Sequence, residues 1–166
     1  MLRIFTFLTV IFLTTFIFAQ EKTKTEELPM MSQWQLYNEA GQLVKSSDFQ
    51  GKPLVIHFWA TWCPYCKKLQ PGLDTLYRKY QADGLQMIAI SIREDEGATP
   101  QKELDGRGMS FKTLITVAAA AKNLFSVTGT PTTVFIDNTG HVVGSTSISD
   151  PDDPRLVTIV KYIVDN

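Results

Sequence analysis

The sequence predicts a mixed α/β domain in which helices cover both faces of a central β-sheet. Short runs of β-branched and aromatic residues alternate with segments of helical spacing, and the chain closes with a hairpin and a helix. The 166 residues are 44% hydrophobic and 20% charged, which suits one domain with a buried core. Strands separated by helices pair in parallel, whereas hairpins pair antiparallel, so we expect a sheet of mixed type.

The first predicted elements are a hairpin and two buried strands. WQLYNEAGQLV, at 34–44, places apolar-rich runs on either side of a turn sequence and predicts the hairpin. LVIHFWA, at 54–60, is rich in β-branched and aromatic residues, which is typical of a strand buried on both faces. GLQMIAISI, at 84–92, has the same character and predicts the second buried strand.

Helices are predicted between and after these strands. Leu69, Leu73 and Leu76 recur at helical spacing before a stop at 83–84. Thr99 and Pro100 predict a helix start, with a hydroxyl cap and a proline at the first helical position. The remaining predicted elements are a strand at 111–117, a helix at 118–125, a hairpin at 132–147 and an amphipathic helix at 155–164.

The first nineteen residues differ from the rest of the chain. Arg3 is followed by an uncharged, mostly apolar run at 4–18, and Ala19 precedes a polar stretch, so we predict a secretory signal peptide at 1–19. The alternative is an uncleaved membrane anchor, although the run is shorter than the roughly 20 residues that span a bilayer comfortably. In both cases we expect an extracytoplasmic protein, with a flexible leader at 20–33 and the domain at 34–166.

The predicted chemistry centres on Cys63 and Cys66, the two cysteines of the chain. Cys63 follows a buried strand at the entrance to a helix, where unpaired backbone N–H groups and the helix dipole favour a thiolate over a thiol. Cys66 lies one turn further along the same side, within disulfide reach. We therefore predict thiol–disulfide exchange in which Cys63 attacks and Cys66 resolves the mixed disulfide.

Three other interpretations of the cysteines remain: a metal site, a structural disulfide and inert buried thiols, the last of which a helix entrance between Trp62 and Lys67 disfavours. A zinc site needs four ligands, and neither His57 nor His141 has suitable local spacing. A structural disulfide that encloses only two residues removes little entropy from the unfolded chain, so it would stabilise the fold poorly. We expect no metal and no organic cofactor.

Four motifs in the chain resemble those of the thioredoxin superfamily, in the same order. They are FWATWCPYC, Pro71 beyond the second cysteine, GTPT at 129–132 and the closing hairpin. The hairpin before the core, the lead-in DFQGKPLVIHFWATWC and the inserted segment at 93–110 resemble the exported TlpA/ResA branch. This resemblance covers roughly residues 34–164. It implies a thioredoxin-like fold with an added N-terminal β-hairpin, an activity as thiol–disulfide oxidoreductase and a location outside the cytoplasm.

The resemblance also implies a set of residues that contact the substrate. Pro131 would be a cis-proline beside the disulfide and would present the backbone of Thr130 to a bound substrate strand. Trp62 would shape the surface around the thiols. Pro64 and Tyr65, the dipeptide usual in glutaredoxins, would influence thiolate stability and therefore the reduction potential.

Glu94 is the predicted proton-transfer group. In the branch that the chain resembles, this role is linked to a glutamate just after the next strand, and SIRED, at 91–95, places Glu94 there. The alternative is a solvated loop that Glu94 shares with Asp95 and Glu96. His57 stands where cytoplasmic thioredoxins have a buried aspartate, so it is either a second candidate for proton transfer or a hydrogen-bonded core residue.

We expect a monomeric reductant whose clients are proteins that contain disulfides. The resemblance implies that its electrons come from a membrane disulfide-reducing donor. Three alternatives remain: a disulfide oxidant or isomerase with the same cysteines, a copper-handling module of the same fold, and a peroxidase resembling the peroxiredoxins. The peroxidase is disfavoured because the reactive cysteine of peroxiredoxins lies in a different local motif. Copper-handling modules favour three residues between the cysteines, and this chain has two. The formal net charge of −1 argues against nucleic acid, which calls for a basic face.

Overall fold

The computed structural model describes residues 28–166. The predicted signal peptide and most of the predicted leader therefore lie outside the described residues. At the described end of the leader, Val142 donates a backbone hydrogen bond to Pro29 at 2.8 Å, and Met31 donates one to Gly140 at 2.9 Å. The folded part thus begins before residue 34. None of the helices within 28–166 has both the length and the apolar character needed to cross a bilayer.

Residues 28–166 contain seven strands and four α-helices. The strands are β1 (Gln35–Tyr37), β2 (Leu43–Lys45), β3 (Leu54–Trp59), β4 (Gln86–Ser91), β5 (Lys112–Ile115), β6 (Thr132–Ile136) and β7 (Val142–Thr146). The helices are α1 (Pro64–Tyr80), α2 (Pro100–Gly106), α3 (Ala118–Phe125) and α4 (Pro154–Asp165). From β3 onward the elements follow the predicted order.

All seven strands form one mixed sheet with the order β2-β1-β5-β4-β3-β6-β7. The pairs β3–β4 and β4–β5 are parallel because helices connect these strands, whereas β6 and β7 pair antiparallel across a hairpin. The central position of β3 agrees with its burial along its full length, as its apolar sequence predicted. Because α1 follows β3 directly, the end of the most buried strand positions the start of this helix.

The side chains of β3 alternate between two hydrophobic cores, one on each face of the sheet. Val55 and Trp59 belong to the core that includes residues of α1, α2 and α4. Ile56 and Phe58 belong to the core that includes Ala121 of α3. Helices therefore cover both faces of the sheet, which confirms the predicted architecture.

The inserted segment packs against α1 just beyond the second cysteine. Glu103 of α2 forms an ion pair with Lys67 at 2.8 Å. Arg107, directly after α2, donates hydrogen bonds to the backbone carbonyl of Lys67 at 2.5 Å and to the side chain of the buried Gln70. These contacts hold the inserted segment against α1, the helix that begins at the cysteines.

The predicted hydroxyl cap of α2 is wrong. The side chain of Thr99 makes no capping hydrogen bond. The backbone N–H of Gln101 instead donates to the carboxylate of Glu39, which lies between β1 and β2. A carboxylate is a stronger acceptor than a hydroxyl, and tertiary folding brings this one to the helix start.

Gly72, in α1, allows the close approach of the loop that precedes α4. A Cβ atom at residue 72 would lie 2.4 Å from the carbonyl oxygen of Pro151 and 2.8 Å from its Cα. We expect Gly72→Ala to lower the free energy of unfolding by about 1–3 kcal/mol, because backbone must move to relieve the overlap. Urea unfolding curves would measure this change.

Gly106 provides the matched control for this prediction. It also lies in a helix, but a Cβ atom there meets nothing within 4 Å. Alanine favours helices over glycine by up to about 1 kcal/mol, so Gly106→Ala should be neutral or slightly stabilising. Equal stability of the two variants would contradict a steric role for Gly72.

Candidate active site

Cys63 and Cys66 form a disulfide at the start of α1. Their Cα atoms lie 5.3 Å apart. Cys63 is the N-cap residue of the helix, and its Sγ accepts a hydrogen bond from the backbone N–H of Cys66 at 3.2 Å. Pro64 occupies the first turn, where a missing N–H has no cost. The end of β3 and the helix start thus place Cys63 where helix N–H groups favour a thiolate.

Exposed aromatic side chains flank the buried cysteines. Cys63 is 2% exposed and Cys66 is fully buried. Trp62 and Tyr65, by contrast, are 49% and 63% exposed. Pro64, between the cysteines, is also exposed. Large aromatic side chains that remain in water beside a reactive pair are available for contact with another protein.

A groove of about 360 Å³ lies next to the disulfide and brings together three of the predicted substrate-contacting residues. Tyr65 lines it together with Thr130 and Pro131. The peptide bond between Thr130 and Pro131 is cis. Pro131 belongs to the segment 126–131 that joins α3 to β6, which we call the proline loop. Thr132 begins β6, and its hydroxyl donates a hydrogen bond to the carbonyl of Gly129 in this loop at 2.8 Å.

Three hydrogen bonds fix the carboxylate of Glu94. It accepts from the backbone N–H of Thr61 at 2.9 Å, from the Thr61 hydroxyl at 2.6 Å and from the hydroxyl of Ser91. Glu94 is half-buried, whereas Asp95 and Glu96 are exposed. Thr61 lies two residues before Cys63, in the segment 60–63 that joins β3 to α1, which we call the cysteine loop. The two bonds from Thr61 therefore hold the carboxylate of Glu94 against this loop. The geometry differs from that of a solvated loop residue.

His57 is fully buried in the middle of β3. Strand alternation places it on the same face as Trp59 and α1. Its Nδ1 lies 3.2 Å from the hydroxyl of Thr133, and its Nε2 has no hydrogen-bond partner within the described residues. Desolvation lowers the pKa of His57 from 6.5 to about 3. The ring is therefore neutral near pH 7, which favours its interpretation as a core residue.

Sequence reasoning missed four residues that organise the site: Thr61, Ser91, Arg93 and Thr128. The backbone carbonyl of Arg93 accepts a hydrogen bond from the indole N–H of Trp62 at 2.8 Å, and its guanidinium donates to the carbonyl of Thr128 at 2.9 Å. The spacing of Ser91 and Glu94 at the end of a strand is a local signal. No local sequence signal predicts the contact between Arg93 and Thr128, because these residues lie in loops that are distant along the chain.

The arrangement suits chemistry at sulfur. Across residues 28–166 no group of three or more His, Cys, Asp or Glu side chains is placed to hold a metal ion. The site instead combines an N-terminal cysteine, a second cysteine within bonding distance, a fixed carboxylate and a groove. A cysteine at a helix start with a second cysteine within bonding distance can exchange its disulfide with that of another protein.

The sequence matches a known family and known enzymes. Residues 26–145 match the AhpC/TSA family. The thiol-disulfide oxidoreductase ResA of Halalkalibacterium halodurans is 30% identical over 103 residues, which cover 62% of this chain and 58% of that protein. ResA of Geobacillus kaustophilus is 29% identical over 125 residues, which cover 75% of this chain and 71% of that protein. The match thus covers less than two thirds of the length of ResA from Halalkalibacterium halodurans.

Solved structures show the same fold. A thiol:disulfide interchange protein of the thioredoxin family from Chlorobium tepidum has a TM-score of 0.71 at 20% identity, covering 83% of this chain and 97% of that one. A secreted disulfide oxidoreductase from Mycobacterium tuberculosis, homologous to DsbE of E. coli, has a TM-score of 0.68 at 23% identity, covering 78% and 96%. These matches confirm the thioredoxin-like fold and the resemblance seen in the sequence, and the chain belongs to the AhpC/TSA family.

Proposed function

We propose that the protein is an extracytoplasmic thiol–disulfide oxidoreductase that reduces protein disulfides through Cys63 and Cys66. The observation that carries this proposal is the disulfide at the start of α1, beside exposed aromatic side chains and the groove of Pro131. The name of the ResA relatives, thiol-disulfide oxidoreductase, supports the same class of reaction. The location rests on the sequence of residues 1–19.

The reaction consists of two exchanges at sulfur. In the reduced protein, the Cys63 thiolate attacks one sulfur of a client disulfide, which forms a mixed disulfide and releases the first client thiolate. The sulfur of Cys66, once deprotonated, attacks Cys63, which releases the second client thiolate and closes the disulfide between Cys63 and Cys66. Two electrons pass to the client, whose two thiolates take up protons. A membrane disulfide-reducing donor would restore the dithiol.

The reduction potential of the Cys63–Cys66 pair tests the direction of the reaction. Proteins of related fold range from about −270 mV for reductants to about −120 mV for oxidants. We expect a value nearer the reducing end, measured by equilibration with glutathione or dithiothreitol buffers. The reduced protein should also cleave the disulfide of a model peptide dimer. A potential at the oxidising end would favour the alternative of an oxidant or isomerase.

Glu94 is the proposed acid/base for Cys66. Its carboxylate is fixed by Thr61, two residues before Cys63, and by Ser91 at the end of β4. A carboxylate held in one orientation beside the cysteine loop can take the proton of the resolving thiol when Cys66 attacks. The exposed Asp95 and Glu96 lack such contacts among the described side chains.

We expect Glu94→Gln to fold normally and to reduce disulfides at least about tenfold more slowly, because general-base assistance is lost while the shape is kept. Its pH–rate profile should change between about pH 6 and 9, where perturbed thiols titrate. Stopped-flow kinetics with the peptide dimer would measure both effects. Asp95→Asn and Glu96→Gln are the matched controls and should behave like the parent. If all three variants match the parent, the base is another group.

A further inference from the structure

We propose that Arg93 positions the two loops that hold a client disulfide and thereby determines how tightly the protein binds its clients. The inference rests on the proposed function and adds a positioning residue to it. Arg93 lies two residues after the end of β4, between Ile92 and Glu94. It contacts both the cysteine loop and the proline loop.

The backbone of Arg93 has a conformation that its side chain does not favour. Its φ of +57° lies in the left-handed region, which costs free energy for any residue with a Cβ atom. Within residues 28–166, Ser126 is the other non-glycine residue with a positive φ. The charge-assisted hydrogen bond of the guanidinium and the cost of the left-handed conformation are of similar size, so the two nearly cancel in the free energy of folding. The strain therefore points to a role other than stability.

The backbone carbonyl and the guanidinium of Arg93 bind two different loops of the site. Its carbonyl oxygen accepts the indole N–H of Trp62 at 2.8 Å, directly before Cys63. Its Nη2 donates to the carbonyl of Thr128 at 2.9 Å. Thr128 begins the segment 128–132 that lines the groove beside the disulfide. One residue thus bridges the cysteine loop and the loop of Pro131.

The surrounding contacts hold Arg93 firmly in place. The backbone N–H of Ile92 donates to the carbonyl of Trp59 at 2.9 Å, and Glu94 is bound to Thr61. The residues before and after Arg93 are therefore both fastened to the chain that leads into Cys63. Thr128, by contrast, is exposed, and the guanidinium of Arg93 is the side chain that ties its carbonyl to the cysteine loop.

A client strand must fit between the aromatic side chains around the cysteines and the proline loop. If the two loops move independently, binding has to order them, and this cost lowers affinity. The reacting sulfurs belong to α1 and its cap, which Arg93 does not contact among the described hydrogen bonds. Loss of the Arg93 side chain should therefore mainly raise KM and should lower kcat by a smaller factor.

Arg93→Gly and Arg93→Asn test this inference. Both residues adopt positive φ more readily than arginine, and neither side chain reaches Thr128. With a peptide dimer joined by one disulfide as the substrate, we expect both variants to raise KM about fivefold or more, as the loss of a charge-assisted hydrogen bond implies. Neither should lower Tm, whereas a residue needed only for stability would lower Tm and leave KM unchanged.

Ser126→Gly is the matched control. It relieves a φ of +57° at the end of α3, and the Ser126 side chain makes no hydrogen bond among the described residues. This variant should keep the parent KM. An unchanged KM in Arg93→Gly, a rise in Arg93→Gly but not in Arg93→Asn, or an equal rise in Ser126→Gly would overturn the inference. A parent protein that leaves the peptide disulfide intact would overturn the proposed function itself, and the inference with it.

Discussion

Cys66→Ser is expected to accumulate mixed disulfides with client proteins, whereas Cys63→Ser should accumulate none. Cys63 caps α1 and receives the N–H of residue 66, which a serine at that position still supplies. Its thiolate therefore remains able to attack a client, but no second thiol is present to release the complex. Acid quenching, alkylation and non-reducing gels would display the complexes as bands that dithiothreitol removes.

Both single variants should lose multiple-turnover reduction of the peptide dimer, with rates falling to that of the uncatalysed exchange. The double variant, Cys63→Ser with Cys66→Ser, is the control for complexes that do not involve these thiols. Trapping by Cys63→Ser alone, or equal trapping by both single variants, would reverse or remove the assignment of roles. Mass spectrometry of the trapped complexes would identify the clients.

The folded protein is expected to lose stability as the pH falls below 6.5, because of His57. Burial lowers the pKa of His57 from 6.5 to about 3, so the unfolded chain binds a proton in this range and the folded protein does not. The contribution of His57 is therefore fully present above pH 6.5 and declines toward pH 3. Each pH unit in this window should cost roughly 1 kcal/mol of unfolding free energy.

The pH dependence can be separated from that of the carboxylates. Asp74, Asp137 and Asp153 have pKa values lowered from 3.8, so their protonation weakens the fold only at lower pH. Urea unfolding between about pH 6.5 and 4.5 should therefore report mainly on His57. His57→Gln, which carries no titrating group, should show a much flatter dependence. A parent protein as stable at pH 4.5 as at pH 6.5 would contradict the buried, neutral ring.

The sequence predicted the parts of this protein that depend on neighbouring residues. The apolar run of β3 determined a buried central strand, and the helical spacing after it determined α1. The placement of Cys63 between these elements follows from local chain order, so the reactive pair could be identified without a structure. α3 was predicted at 118–125, the bounds that it has.

The contacts between distant loops were decided only by the tertiary structure. The guanidinium of Arg93 contacts Thr128, and Glu39 rather than Thr99 accepts the hydrogen bond at the start of α2. The sequence placed Glu94 after a strand, yet its bonds to Thr61 required the parallel pairing of β3 with β4. Propensity, periodicity and capping act over a few residues, whereas these bonds depend on which strand ends the sheet brings side by side.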